Sequence, residues 1–222
     1  MTKPILFNTE MVQAILDGRK TVTRRVIKPQ PKMRLCYCCG GYEAGKWHYP
    51  DNNAWKYWGE EFRVPDYISD EELELSWTPP CHTDDILYVR ETWAYHGNPK
   101  AGRPMHYDYK ADREDPRYDD SGFIAIWKPS IHMPKEAARL FLKVTNMSVT
   151  RLQDMGANDS LQEGVKLSLK GLLERGEPAT APFARVWDST IKKADLPVYG
   201  WDANPFVWKI EFKRISREEA GI

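Results

Sequence analysis

The chain has 222 residues, a length that suits one large domain, or one domain with insertions, better than two compact domains. Its 32 lysines and arginines balance its 32 aspartates and glutamates, which excludes a uniformly basic nucleic-acid coat and an acidic disordered tail. With 41 % hydrophobic and 12 % aromatic residues, the chain can bury a sizeable core in which aromatic rings carry much of the packing.

The first two predicted elements are a helix and a basic strand. A helix is predicted from Thr9 to Asp17, because its apolar residues fall at helical spacing. Thr9 can cap its start, and Gly18 can take the left-handed position after its end. The β-branched, basic segment 19–27 is predicted to be a strand that Pro29 terminates.

Two later stretches lack a sustained period of 2 or 3.6 residues. Residues 31–80 mix cysteines, glycines, aromatic rings and charges, and we interpret them as an insertion of irregular structure. Residues 97–121 are polar and rich in acidic residues, and are predicted to form an exposed loop. The organisation expected is therefore a single domain over 1–217 that carries these two insertions.

The remaining elements complete a mixed fold. The pattern predicts strands at 84–95, 123–127, 140–152 and 206–212, and helices at 158–173 and 182–193. Because strands and helices do not alternate in regular βαβ order, the fold class expected is α+β, with helices around a small β-barrel.

The compartment can also be predicted from the sequence. No apolar run approaches the roughly 18–20 residues that span a bilayer, and the first residues show no cleavage pattern of a signal peptide. The four cysteines, three of them between Cys36 and Cys39, do not form the pattern of a secreted disulfide framework. We therefore expect a cytoplasmic protein that does not contact membranes.

Cys36 and Cys39 have the C-x-x-C spacing of a metal knuckle. A tetrahedral zinc site needs two further ligands, for which Cys81, His82 and His48 are candidates. Such a structural zinc would help to hold the insertion together, although free buried thiols are common and a second C-x-x-C is missing.

Seven basic residues and no acidic one lie between Gly18 and Tyr42. Such a cluster can neutralise phosphates or a negative transition state, or it can be a strand edge protected by charge.

Within this cluster, residues 16–25 read Leu-Asp-Gly-Arg-Lys-Thr-Val-Thr-Arg-Arg, which resembles the G-x-K-T-x-T-x-R signature of ASCH-domain proteins. Residues 85–93, 151–164 and 199–205 are similar to the same family, particularly to members carried by phages and prophages. The resemblance covers 1–30 and 81–215, and it implies a PUA-like β-barrel flanked by helices.

The resemblance also implies a site. Small bacterial members of the family hydrolyse the acetamide of N4-acetylcytidine with a lysine, a threonine and a glutamate, which by motif position fall on Lys20, Thr23 and Glu163. No cofactor is then needed for the chemistry. The residues expected to bind a nucleoside or RNA are Arg24, Arg25, Arg90, Trp93 and Trp201.

The chemistry of the implied residues leaves their roles open. Amide hydrolysis needs a nucleophile, a base and donors to the oxyanion, and Thr23 offers a hydroxyl. Burial and the neighbouring arginines would lower the pKa of Lys20 from its usual value of about 10.4 and favour a role as base. Alternatively, Glu163 handles protons while Lys20 stays charged. A third interpretation is a buried Lys20–Glu163 ion pair beside a Thr23 without catalytic function.

Geometry adds one constraint. In a regular strand, the side chains of Lys20 and Thr23 would point to opposite faces. For both to line one pocket, residues 18–23 must contain a turn or bulge, which Gly18 permits.

Two other functions compete with amidohydrolysis. A non-catalytic RNA-binding module would stack bases on aromatic side chains, for which Trp93, Trp127 and Trp201 are candidates. A ribonuclease, with or without a metal ion, is the third possibility.

Overall fold

The structure is a computed structural model that describes residues 1–30, 46–48, 55–58, 76–77, 79–96, 106–114 and 126–222. The strands in these ranges are β1 (Thr2–Leu6), β2 (Val22–Val26), β3 (Lys46–His48), β4 (Trp55–Trp58), β5 (Ser76–Trp77), β6 (Ile86–Arg90), β7 (Trp93–His96), β8 (His106–Tyr109), β9 (Phe141–Arg151) and β10 (Phe206–Ile215). The α-helices are α1 (Thr9–Leu16), α2 (Ala157–Gln162), α3 (Leu169–Arg175), α4 (Ala181–Thr190) and α5 (Leu196–Tyr199). Short 3-10 turns cover Ser130–His132, Lys135–Ala137 and Lys193–Asp195.

The main sheet has five strands in the order β1-β6-β9-β10-β2. β1 and β6 run parallel, and the other neighbours run antiparallel. The long β9–β10 ladder has a register shift between Glu211 and Phe212. The predicted α+β class is therefore confirmed.

The sheet is open, with β1 and β2 as its two edges, so the described part of the chain does not form a closed barrel. The backbone just before β2 pairs with the end of α2 and the residue after it. Thr21 N–H donates to the Gln162 carbonyl at 2.9 Å, and Lys20 forms an isolated β-bridge with Glu163. The segment that follows α2, rather than β1, therefore lies beside the start of β2.

Among the described residues, three clusters of buried side chains stabilise this arrangement. The largest packs Val12 and Ile15 of α1 against the main sheet. A second gathers around Trp93 and Phe141, and a third joins α4 to the C-terminal end of β9 and the start of β10. Burial of these apolar surfaces is the main stabilising contribution to the fold.

Several predicted boundaries differ from the observed ones. The helix predicted at 158–173 is two helices, because the chain turns at Gly164, whose φ of +88° no regular helix contains. The strand predicted at 84–95 is also divided, into β6 and β7. The helix predicted at 9–17 is present, although Asn8 rather than Thr9 caps it, by accepting from the Met11 amide at 2.9 Å.

The two predicted insertions contain regular structure. β3, β4 and β5 form a separate three-stranded sheet within 31–80. β8 lies inside the segment expected to be an exposed loop and pairs with β7, which precedes that segment. Strands of two to four residues are too short to produce a recognisable period-2 pattern. The strand predicted at 123–127 lies largely outside the described residues, and Ile126 and Trp127 are not in a strand.

β1 has no counterpart among the predicted elements. It contains Pro4, which lacks an N–H, and it is tolerated there because β1 is an edge strand. None of the helices in the described ranges has the length and apolar content needed to cross a membrane.

Candidate functional site

A cavity of about 310 Å³ opens between the two edges of the main sheet. One wall comes from the end of β1 and from α1, and a second from β2 and the segment after α2. α4 supplies the third wall with apolar side chains. The polar and charged residues that line the cavity are Asn8, Lys20, Thr23, Arg24, Arg25, Glu163 and Thr190.

Lys20 reaches this cavity because the chain turns sharply after α1. Gly18 has a φ of +73°, and the Lys20 amide then donates to the Ala14 carbonyl at 3.0 Å. Lys20 thus precedes β2, which begins at Val22, so the alternation of side chains along a strand does not separate it from Thr23. This is the turn that a shared pocket requires.

The Lys20 ammonium has an acceptor for each of its three hydrogens. Nζ donates to Glu163 Oε2 at 2.7 Å, to the Glu163 carbonyl at 2.8 Å and to the Val22 carbonyl at 2.8 Å. Its side chain is 2 % exposed and that of Glu163 is 4 % exposed. The geometry therefore fits a charged lysine paired with an ionised carboxylate.

Burial lowers the pKa of Lys20 from its usual value of 10.5. The adjacent Glu163 carboxylate opposes this effect, while the charges of Arg25 and Arg24 reinforce it. The net direction favours loss of the proton at a lower pH than for a solvent-exposed lysine.

Glu163 lies immediately after α2, where the helix ends before Gly164. Its second oxygen, Oε1, accepts from Arg24 Nη1 at 3.1 Å, while Arg24 Nη2 donates to Asp159 Oδ1 at 2.7 Å. Both carboxylate oxygens of Glu163 are therefore held by cations.

Thr23 and Arg25 are two residues apart on β2 and interact directly. Arg25 Nη1 donates to Thr23 Oγ1 at 2.8 Å, and Nη2 donates to the Leu6 carbonyl of β1 at 3.0 Å. The guanidinium lies 5.2 Å from the centre of the Phe7 ring. Arg25 thus spans the gap between the two edge strands and holds the Thr23 hydroxyl at the cavity wall.

The other residues expected to bind substrate lie elsewhere. Arg90 donates to the Met133 carbonyl at 2.8 Å and to the Ile131 carbonyl. Trp93 is buried in the second cluster, and its ring stacks on Tyr95. Trp201 packs edge-on against Phe183, with ring centres 6.1 Å apart, and so supports the cavity wall from behind.

Trp127, the third aromatic candidate for stacking a base, is also absent from the cavity lining. Its Nε1 donates to the Glu114 carbonyl at 2.8 Å.

The proposed zinc ligands are only partly within the described residues. Cys36 and Cys39 lie outside them, as does the side chain of His48. Cys81 is packed in the largest cluster, where burial raises the pKa of its thiol to about 11. Among the described residues, no group of three His, Cys, Asp or Glu side chains could hold a metal ion, and the zinc knuckle stays a prediction.

Three residues contribute to the site without being indicated by the motifs. Asp159 is one, because its distance from Arg24 depends on how α2 packs beside β2. Phe183 and Trp187 belong to the helix predicted at 182–193, and they also line the cavity. Their helical spacing alone does not distinguish packing from ligand binding.

The sequence matches no model of a known protein family, and it matches neither a curated protein nor a solved structure. The geometry of the site and the motifs in the sequence are therefore what indicate its chemistry.

Proposed function

We propose that the chain is an ASCH-domain protein that binds cytidine, as a nucleoside or in RNA, and hydrolyses the acetamide of N4-acetylcytidine. The observation that carries the proposal is that Glu163 lines one cavity with Lys20 and Thr23, although it lies 143 residues after Lys20 in the sequence. Its volume of about 310 Å³ is within the usual range of small-molecule sites.

The PUA-like barrel is part of this proposal. A closed barrel would join β1 to β2, the two edges between which the cavity opens. The hydrogen bond from Arg25 to the Leu6 carbonyl already crosses this gap.

Thr23 is the nucleophile in the proposed reaction. Its oxygen forms a bond to the acetyl carbon while its proton passes to a neutral Lys20 amine. Arg25, which donates to Thr23 Oγ1, stabilises negative charge that develops beside it. The carbon–nitrogen bond then breaks as Lys20 returns the proton to N4, and cytidine leaves. Water hydrolyses the acetyl-threonine ester, which releases acetate and restores the hydroxyl.

Lys20 must change its hydrogen bonding to act in this way. A neutral amine has two hydrogens and one lone pair, so it has to release one of the three acceptors that Nζ contacts at 2.7–2.8 Å. The lowered pKa of Lys20, caused first by burial, favours this state. Glu163 then orients the amine instead of transferring protons itself.

Acetate release from N4-acetylcytidine tests the proposal. Thr23→Val removes the hydroxyl and keeps the shape of the side chain, whereas Thr23→Ser keeps the hydroxyl. We expect activity in the wild type and in Thr23→Ser, loss in Thr23→Val, and a decrease of about 10²–10⁴-fold in kcat in Lys20→Arg. The proposal is wrong if the wild type releases no acetate between about pH 6 and pH 9, where a tuned base works.

A second candidate, a non-catalytic RNA-binding module, is favoured by one observation. The Lys20–Glu163 pair is buried and its hydrogen bonds are complete, as in a structural ion pair. In this case RNA would bind in a salt-dependent way, and Arg25→Gln would weaken the binding. Neither acetylated nor unacetylated RNA would be chemically altered by the protein. Turnover of bound N4-acetylcytidine by the wild type would exclude this candidate.

A further inference from the structure

Arg24 is buried between two carboxylates. Its side chain is 1 % exposed, Nη1 lies 3.1 Å from Glu163 Oε1, and Nη2 lies 2.7 Å from Asp159 Oδ1. Nε is buried as well and has no hydrogen-bond partner among the described residues. The guanidinium therefore bonds to groups of the protein itself and has little exposed surface with which to contact a substrate. This differs from the expectation that Arg24 binds a nucleoside or RNA.

We propose that Arg24 is a positioning residue: by joining Glu163 to Asp159, its guanidinium fixes the Glu163 carboxylate and, through it, the Lys20 amine at the cavity. The effect of Arg24 on catalysis rests on the proposed function. The contacts by which Arg24 positions Glu163 and Lys20 are those of the protein without substrate.

The geometry of Glu163 explains why a second cation is needed. A carboxylate held at one oxygen can still rotate about its last carbon–carbon bond, and Lys20 occupies only Oε2. Arg24 holds Oε1, so both oxygens are fixed. Since Lys20 Nζ donates to Oε2, the direction of the amine depends on this carboxylate.

The charge of Arg24 acts in addition to its hydrogen bonds. Burial is the largest cause of the lowered pKa of Lys20, and Arg25 and Arg24 lower the pKa further against the opposing Glu163. Loss of the Arg24 charge therefore raises the pKa of Lys20. Proton loss from Lys20 would then need a higher pH.

The other charged groups near this pair do not replace Arg24. Asp159 is on α2, and Lys209 of β10 approaches its Oδ1 at 3.4 Å. The Phe7 ring, 5.5 Å from Lys20 Nζ, covers the amine from the β1 side. The residues of α4 that line the cavity carry no charge.

The experiment compares wild type, Arg24→Gln, Arg24→Lys and Asp159→Asn, with Arg139→Gln as the matched control. Arg139 also forms ion pairs with two carboxylates, Glu91 at 2.9 Å and Asp112 at 2.6 Å, but it does not line the cavity. Steady-state kinetics give kcat and KM for N4-acetylcytidine at several pH values. NMR follows the titration of Lys20 through its ¹³C-labelled Cε, whose signal is assigned with Lys20→Arg. Thermal unfolding reports on stability.

We expect Arg24→Gln to lower kcat by about a hundredfold with little change in KM, as for loss of alignment without loss of substrate contacts. Its pH–rate profile and the Lys20 titration should both move to higher pH. Arg24→Lys keeps the charge but lacks the planar fork, so its Lys20 titration should stay near that of the wild type while kcat falls. Arg139→Gln should lose stability and keep the wild-type profile.

Asp159→Asn provides a milder test if Arg24→Gln fails to fold. It weakens one contact of the guanidinium and leaves Arg24 in place. We therefore expect kcat to fall as in Arg24→Gln, but by a smaller factor. An unchanged kcat and Lys20 titration in whichever variants fold would overturn the inference. A higher KM with unchanged kcat would also overturn it, because Arg24 would then bind substrate. If the wild type has no activity, the proposed function fails, and the titration alone decides whether Arg24 controls Lys20.

Discussion

At the scale of single residues, the Lys20–Glu163 pair is the most constrained feature of the site. Removing one partner of a buried ion pair costs about 3–5 kcal/mol, because the other charge is left without compensation. Replacing Glu163 would therefore affect folding as well as function. Variants of Thr23, which is not part of this ion pair, separate the two effects better.

Replacing Gly164 should displace Lys20 without removing any functional group from the site, because Gly164 packs against the Lys20 side chain. A Cβ at this position would lie 2.6 Å from Ala14 Cβ and 3.0 Å from Lys20 Cβ, and φ is +88°. We expect Gly164→Ala to lower the free energy of unfolding by about 1–3 kcal/mol through overpacking, in addition to backbone strain. Urea unfolding measures this loss.

Gly176→Ala is the control for Gly164→Ala. Gly176 also has a positive φ, +62°, but a Cβ there would meet nothing within 4 Å. It therefore reports the backbone strain alone. Equal losses in the two variants would contradict a steric role for Gly164.

At the scale of elements, α4 determines how much room the cavity has. Val186 lines the main cavity and a neighbouring one of about 280 Å³. We expect Val186→Trp to fill this space and to weaken binding of N4-acetylcytidine by about tenfold or more. Isothermal titration calorimetry with an inactive Thr23→Val background measures the affinity.

Ser189→Trp adds the same ring on the exposed side of α4, and it should leave the affinity unchanged. A loss of binding in both variants, or in neither, would show that α4 does not limit the ligand.

The elements differ in how well their sequences predict them. β9 and β10 agree closely with prediction, because a long strand gives room for apolar residues at alternate positions, such as Leu142 and Val144 or Ile210 and Phe212, to be recognised. The prediction of one continuous helix at 158–173 was wrong. In the sequence, Leu161, Val165, Leu169 and Leu172 keep helical spacing across the break between α2 and α3, so the apolar pattern does not show the break. Gly164 was the one local signal of that break, and a single glycine within a helical pattern is a weak signal.

The site illustrates the same limit. Motif resemblance indicated Lys20, Thr23 and Glu163, and the need for a turn after Gly18 followed from strand geometry. The contacts of Arg24 with Glu163 and Asp159 could not be predicted, since they depend on the packing of α2 beside β2. Arg90 and Trp93 were expected at the site from their motif, but their side chains pack in another part of the fold.

At the scale of the whole molecule, Asp85 links stability to pH. Burial by itself raises the pKa of Asp85, but hydrogen bonds from Lys3, the N-terminal amine and the His82 amide outweigh it and lower the pKa from 3.8 to about 2. Between these values the unfolded chain binds more protons, so stability present above about pH 4 is lost as the pH falls towards 2. We expect Asp85→Asn to reduce this dependence when unfolding free energy is measured by urea at several pH values.

Asp84→Asn is the matched control, because the neighbouring Asp84 is 74 % exposed and its ion pair with Lys143 is screened by solvent. It should keep the wild-type dependence on pH. If Asp85→Asn keeps it too, acid sensitivity arises elsewhere.

The strand order has a consequence for how this protein can vary. β2 and β1 are opposite margins of the sheet and β6 borders β1, so the connection that leaves after Gln30 must carry the chain from one margin to the other. In general, each doubling of the length of a connection adds only about 0.6 kcal/mol to the entropic cost of closing it. Lys20, Thr23 and Glu163 lie outside this crossing. Its length can therefore drift between related chains while the reacting groups keep their mutual spacing.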